Sequence, residues 1–372
     1  MRTSVNIVRV IVALLFIISG LVKANDPLGL TYKMEEFFEV WNISLASSSF
    51  FAKDALISFF HFLHSKALWL SILMITLEIV AGVALLTGWK KNFILYLLLV
   101  LIIFFTFLTA YAFLAKNPDG TPRFRSCGCF GDCIPIAPLT SFMKDIVLLA
   151  MISFLIIFRR YINPWLTTNK QLATIGAAFL VTIFIQWYVL NYLPIADCLP
   201  YKKGNNIAEQ MKLPPNAVPD SFAMKFIYEK GGQRYEFDID QLPADLDQYT
   251  FIDRTQKLVR KGNAVPAITG FSLSDPAGND LVPQILEEPK AIIFFVLDFE
   301  DANDWISDLK RIYTEAKRDN IPFFVATPDA SKGKVILSSG GLSEILILNA
   351  DNTAVKTAAR TNPTVYYLEK GT

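Results

Sequence analysis

Five apolar stretches, Val5–Val22, Ala67–Leu86, Phe93–Leu114, Ser141–Phe158 and Leu172–Leu193, constrain this chain more than anything else in it. Each approaches the roughly twenty residues that a helix needs to cross about 30 Å of hydrocarbon. Beyond Leu193 the polar balance is ordinary, so a membrane half precedes a water-soluble half, each with a core of its own. A hydrophobic content of 53% in 372 residues excludes an ordinary soluble enzyme, and a net charge of +1 gives no electrostatic footprint for nucleic acid. The predicted fold class is a membrane all-α helical bundle joined to a C-terminal α/β domain.

Arg9 falls inside the first stretch, near enough to its end for the side chain to reach the headgroups. A rival reading makes that stretch a secretory signal, with Arg2 and Arg9 as its basic flank and a cut after Val22-Lys23-Ala24. Lys23 beside the cut argues against it. Basic residues in short loops set the orientation. Arg2 and Arg9 flank the first helix, Lys90 and Lys91 join the second to the third, and Arg159, Arg160 and Lys170 join the fourth to the fifth. With alternating spans all of these fall on one side, which the positive-inside rule makes the cytoplasm. Ala24–Lys66, the loop Lys116–Thr140 and everything after Leu193 then face the other, non-cytoplasmic side.

Glu35–Trp41 and Asp54–His64 carry apolar residues at helical spacing, and Phe59, Phe60 and Phe62 suit the second to the membrane interface. In the soluble half, Phe222–Tyr228 and Arg234–Ile239 alternate around Lys230-Gly231-Gly232, a β-hairpin pattern. Phe271–Leu281 reads as strand, turn and strand. Ala291–Leu297 and Ile321–Ala326 are buried strands around an amphipathic helix, Trp305–Ala316.

The richest chemistry lies in Cys127-Gly-Cys129-Phe-Gly-Asp-Cys133, on the same membrane side as Cys198. In an oxidising compartment these thiols pair, and four cysteines allow three pairings. Close spacing favours a reducible, exchanging pair over a static staple, and glycines let the backbone turn so that two sulfurs meet. Cys127 and Cys129 are the expected exchanging pair, with Cys133 and Cys198 as relay or structural pair. A staple holding the loop to the soluble domain and a metal site on Cys127, Cys129 and Cys133 are the competing readings. The metal site lacks a nearby fourth ligand other than Asp132.

These residues resemble the DoxX-like and MauE-like membrane proteins. The MauE-like Cys-Gly-Cys-Phe-Gly run is matched by Cys127–Gly131, the end of its first helix by Ser19, Gly20 and Lys23, and its second-helix acid and glycines by Glu78, Gly82 and Gly88. Lys23–Lys33 looks like a Bacteroidetes branch in which this membrane unit is fused to a thioredoxin-like domain. Thr361-Asn362-Pro363-Thr364 is similar to the cis-proline turn of that domain, and Phe271–Leu281 to its opening hairpin. Ala302-Asn303-Asp304-Trp305 stands where Cys-x-x-Cys is expected, so that domain has no nucleophile. The chain also stops where the family has one more strand and a helix, leaving the fold trimmed or completed by another segment such as Phe222–Ile239. The resemblance implies sulfur redox chemistry at a membrane: maturation of methylamine dehydrogenase for MauE-like proteins, quinone-coupled sulfur oxidation for DoxX-like ones.

Glu78, mid-span, is by default functional, pairing with a base or carrying a proton, and Lys23 and Lys144 are candidate partners. Asp145 beside Lys144 suits a local pair. His61 and His64 share a helix face, and with Lys23 they are candidates for a quinone or proton site. Gln186 reads as an interhelical hydrogen-bonding residue and Trp305 as domain core.

The expected organisation is a four-helix DoxX/MauE-like domain over 1–160, a fifth helix and linker over 161–204, and a periplasmic thioredoxin-like domain over 205–372. The expected function is thiol–disulfide exchange at the periplasmic face with a quinone as acceptor and a periplasmic client protein as partner. The alternative is a non-enzymatic assembly factor with structural disulfides. Topology is tested by introduced cysteines. Those at Lys90 and Lys170 should stay shielded from an impermeant thiol reagent in intact cells, while one at Gly232 should label. Labelling at Lys90 would reverse the orientation.

Overall fold

A computed structural model describes residues 1–117, 123–124, 128, 131, 133–134, 136–243, 245–260 and 262–372. They divide into two compact units, one of 1–115 with 124–198, the other of 116–123 with 199–372.

The first unit holds α1 (Arg2–Ala24), α2 (Pro27–Ala46), α3 (Lys53–Ser65), α4 (Ala67–Thr87), α5 (Lys91–Leu114), α6 (Pro138–Ile157) and α7 (Thr168–Asn191). Of these, α1, α4, α5, α6 and α7 are long and apolar enough to cross a membrane, matching the five apolar stretches. Local chemistry sets the ends. Asp26 caps α2 by accepting from the Gly29 N–H at 3.1 Å, with Pro27 preset for the first turn. Gly88, at φ 80°, ends α4 in the left-handed region. The backbones of α1 and α4 come close because both carry glycine at the crossing. A Cβ on Gly20 would stand 2.4 Å from Ile79 Cγ1, and one on Gly82 3.0 Å from the Ala13 carbonyl.

Helix ends in an apolar medium must find partners for their last carbonyls, and α4 does so completely. The Ala84 carbonyl accepts from the Gly88 and Trp89 N–H groups. Thr87 accepts from the Trp165 N–H at 3.2 Å and from Gln171 Nε2 at 3.0 Å. Leu85 and Leu86 are served by Arg9, whose Nε and Nη2 donate to them at 2.8 and 2.7 Å. Arg9 Nη1 also donates to the Asn163 carbonyl at 2.8 Å, and the guanidinium lies 4.5 Å from the Trp165 ring centre. Arg9 is therefore fully buried and does not reach toward headgroups as the sequence suggested. A window reading registers a charge near a helix end but not the distant carbonyls that hold it. α7 is fastened to α4 again where Gln186 Nε2 donates to Thr76 Oγ1 at 3.0 Å.

The second unit contains α8 (Ile207–Gln210), β1 (Ser221–Lys230), β2 (Gln233–Asp238), β3 (Thr250–Arg260), β4 (Leu273–Ser274), α9 (Val282–Glu287), β5 (Ala291–Phe295), α10 (Ala302–Arg318), β6 (Phe323–Thr327), α11 (Ala330–Ser339), β7 (Leu346–Ala350), α12 (Asn352–Ala358) and β8 (Thr364–Leu368). β5, β6 and β7 are parallel in a five-stranded sheet of order β4-β7-β6-β5-β8, with antiparallel β4 and β8 at its edges. The central strands are apolar on both faces because both are covered. Ile293, Phe295 and Leu348 face Ile285 and Val355, while Phe294 and Val325 face Trp305, Leu309 and Leu337. The hairpin β1–β2 forms as its alternation predicts, but it joins β3 in a separate three-stranded sheet of order β2-β1-β3. Phe222–Ile239 thus does not complete the larger sheet.

The Arg9 arrangement predicts its own test. Arg9→Leu removes the donors that serve the Leu86 and Asn163 carbonyls and one of the two that serve Leu85, and hydrogen bonds to a charged group are worth about 1.5–3 kcal/mol each. The variant should lose detergent-solubilised stability by several degrees in a thermal scan, with Arg9→Lys losing less. Equal stability of Arg9→Leu and wild type would mean that Arg9 does not hold the bundle.

Candidate functional site

Ser19 and Lys23 stand four residues apart on α1, hence on one face, opposite Glu78 in the middle of α4. Lys23 Nζ lies 2.5 Å from Glu78 Oε1, and Ser19 Oγ donates to Oε2 at 3.2 Å. Both charged side chains are at most 2% exposed. Such charges persist in an apolar interior only in each other's company, since the desolvation of either alone costs several kcal/mol. Of the two candidate partners for Glu78, the structure supplies Lys23. Phe105 of α5 adds its ring face 4.5 Å from Nζ.

A second pair stands nearby on α6. Asp145, fully buried, accepts from Thr109 Oγ1 of α5 at 3.0 Å, and its Oδ1 lies 2.7 Å from Lys144 Nζ. Oδ1 lacks hydrogen-bond geometry there, so the contact is ionic. Lys144 is a quarter exposed. The two pairs share one cavity of about 20 Å³, which Ser19, Lys23, Glu78, Phe105, Lys144 and Asp145 help to line. That volume holds about one water. A buried ion pair is thereby linked through a water-sized space to a partly exposed one.

Lys23 also borders a second cavity of about 20 Å³, with Lys33, Phe37, Phe105 and Gly128. Gly128 has φ 71° and sits so close to α2 that a Cβ would fall 2.8 Å from Lys33 Cγ. The cysteine loop therefore has a foothold directly against Lys33, at a cavity that Lys23 also lines. A disulfide, Cys133–Cys198, ties the loop to the segment after α7. The end of α1 clips the same segment: Asn25 Nδ2 donates to the Ala196 carbonyl at 2.8 Å, and the Ala196 N–H to Asn25 Oδ1 at 2.9 Å.

Of the residues singled out in the sequence, the structure brings Lys23 and Glu78 together, and Cys133 and Cys198. Cys127 and Cys129 lie outside the described residues. With Cys133 in a disulfide, it is not a free thiolate for a metal. His61 and His64 lie on α3, exposed, and line neither cavity. In the second unit α10 opens at Ala302, and the turn with cis Asn362–Pro363 meets the loop after β5: the Leu297 N–H donates to Asn362 Oδ1, and Asn362 Nδ2 to the Asp298 carbonyl. All four cysteines precede Leu199, so this turn faces no thiol of its own unit. Sequence reasoning missed Thr109 and Phe105. Thr109 leaves one faint signal, one of two threonines in a largely apolar span.

The family model described as Methylamine utilisation protein MauE matches residues 1–158. Over that stretch the chain is similar to MauE. The match spans α1 to α6, so every described member of the Lys23–Glu78 and Lys144–Asp145 cluster falls inside it, while α7 and Cys198 fall outside. A second family model, Domain of unknown function (DUF8463), matches residues 222–261, the region of the three-stranded sheet. No curated protein and no solved structure matches the chain. The five spanning helices make the protein a multi-pass membrane protein, similar to the MauE family over residues 1–158.

The buried pair predicts a coupled response. Removing one partner of a buried pair costs about 3–5 kcal/mol, whereas replacing both can be neutral. Lys23→Met and Glu78→Gln should each lower the thermal midpoint in detergent, and the double variant should recover most of the loss. Additive losses in the double variant would show that the two side chains are not coupled.

Proposed function

We propose that this protein is a membrane thiol–disulfide exchange protein acting at the periplasmic face of a bacterial inner membrane. The observation that carries the reading is the seat of Gly128. It is the residue between Cys127 and Cys129, packed against Lys33 and sharing a cavity with Lys23. A nearby ammonium favours the thiolate, which is both attacking and leaving species in exchange, and Lys33, whose stem lies against Gly128, carries one, held 2.7 Å from Glu36 Oε2. Cys133–Cys198 acts as the anchor of the loop, and Cys127–Cys129 as the exchanging couple. A client thiolate attacks one sulfur of that couple, its S–S bond breaks, and the released thiolate takes up a proton. The client's second thiol then resolves the mixed disulfide. The client gains a disulfide, and the couple leaves as two thiols with the two electrons.

Lys23, Glu78, Asp145 and Lys144 supply and receive the protons that accompany each thiolate, through the water-sized cavity they share. Reoxidation requires a two-electron, two-proton acceptor. A lipid quinone has that chemistry, but cavities of about 20 Å³ do not fit its ring, and we route no step through one. The sheet order β4-β7-β6-β5-β8 and the Thr361–Thr364 turn beside the loop after β5 support a thioredoxin-like reading of the second unit. Lacking cysteine, that unit binds a client instead of reacting with it. The family's tie to methylamine utilisation supports a role in maturation of another protein. A second reading, an assembly factor whose disulfides are all structural, is favoured by one fact: Cys133–Cys198 is already closed.

Redox titration with gel-shift alkylation separates the two. The exchange reading expects one couple well above about −300 mV, the level below which structural bridges sit. It should vanish in Cys127→Ser and Cys129→Ser, with membrane insertion unchanged and Cys133–Cys198 still closed. A chain whose cysteines all stay oxidised down to that level belongs to the second reading.

A further inference from the structure

A wide cleft lies in the second unit, away from the turn at Pro363. It measures about 430 Å³ and opens between α11 and the β7 edge, with Ser274, Pro276, Lys334, Ser338, Leu346 and Ile347 among its walls. Its floor is an unfinished sheet edge. β4 pairs only with the end of β7, Leu273 with Ala350 and Ser274 with Asn349. The chain then turns away, because Asp275 Oδ1 accepts from the N–H groups of Ala277 and Asn279 at 2.8 and 2.9 Å. Leu346, Ile347 and Leu348 are bonded to β6 on their inner side and, among the described residues, have no strand on their outer side. An open edge of this kind is a template for one more extended chain, in line with β4.

The walls say what that chain carries. Leu346 is 38% exposed, which offers an apolar contact. Lys334 and Ser338 stand four residues apart on α11 and face the same cleft. Lys334 is exposed and has no ionic or hydrogen-bonded partner among the described residues. The one carboxylate in the cleft wall, Asp275, is already engaged by its own turn and by Asn279 Nδ2 at 2.9 Å. The uncompensated charge is therefore positive.

We propose that this cleft binds a short extended peptide, apolar at alternate positions and bearing one acidic side chain, which adds a strand to β7 and pairs with Lys334. The inference stands independently of the thiol chemistry proposed above.

The probe is a fluorescein-labelled peptide, Thr-Val-Glu-Val-Thr-Val with blocked ends, titrated by anisotropy against the full chain in nanodiscs. Saturable binding is expected. A strand on an open edge bonds through alternate residues only. N-methylation of the peptide backbone in one alternating phase should therefore weaken binding at least tenfold, while the other phase is tolerated. Lys334→Glu, a surface change that leaves the fold intact, should weaken the acidic peptide at least tenfold and favour a Lys-bearing counterpart. Absence of saturable binding, equal affinity of the two N-methylated phases, or indifference to Lys334→Glu would each overturn the proposal. So would dimerisation of the full chain through this edge, lost in Leu346→Lys, which would assign the cleft to a second copy.

Discussion

The Lys23–Glu78 ion pair is the constraint around which the membrane unit is arranged. Two opposite charges in a medium of low dielectric must be placed against each other with their remaining valences filled. That requirement fixes the rotation of α1 on α4, brings Ser19 onto the second carboxylate oxygen, and sets Phe105 against the ammonium. The close approach at Gly20 and Gly82 is the steric side of the same arrangement. With bulkier residues at these two positions, Lys23 would have to span a wider gap, and neither charge would be satisfied.

α1 is held at two levels by two different uses of a cation. Lys23 meets a carboxylate, a pairing that keeps proton chemistry available. Arg9 meets three carbonyls, and its five donors in a fixed fork suit backbone acceptors rather than a titratable partner. The first arrangement sits beside water-sized cavities and the cysteine loop; the second seals the other end of α4 with no cavity beside it among those described. The chemistry available to each basic residue follows from what it faces, not from its charge.

Much of the architecture was legible because its signals are local. Twenty-residue apolar runs, the alternation around Gly231-Gly232 and the buried strand at Ala291 each announce themselves within a short window. Glu78 was legible as an anomaly, an acid where lipid forbids one. What sequence did not yield is who meets whom. Arg9 is 76 residues from the Leu85 carbonyl and 154 from that of Asn163. The Thr109–Asp145 contact spans 36 residues and joins two helices. The hairpin at Phe222 was recognisable as a hairpin, yet its sheet was not, because β3 lies beyond a stretch with no pairing signal of its own.

The Cys133–Cys198 bridge, 65 residues apart along the chain, turns α6 and α7 with their connection into a covalent ring. A protease that nicks the short connection between these helices would leave the soluble unit attached by sulfur alone. The protein would migrate as one piece until a reductant was added. Retention of the soluble unit on its anchor thus depends on the redox state of the compartment as well as on an unbroken backbone.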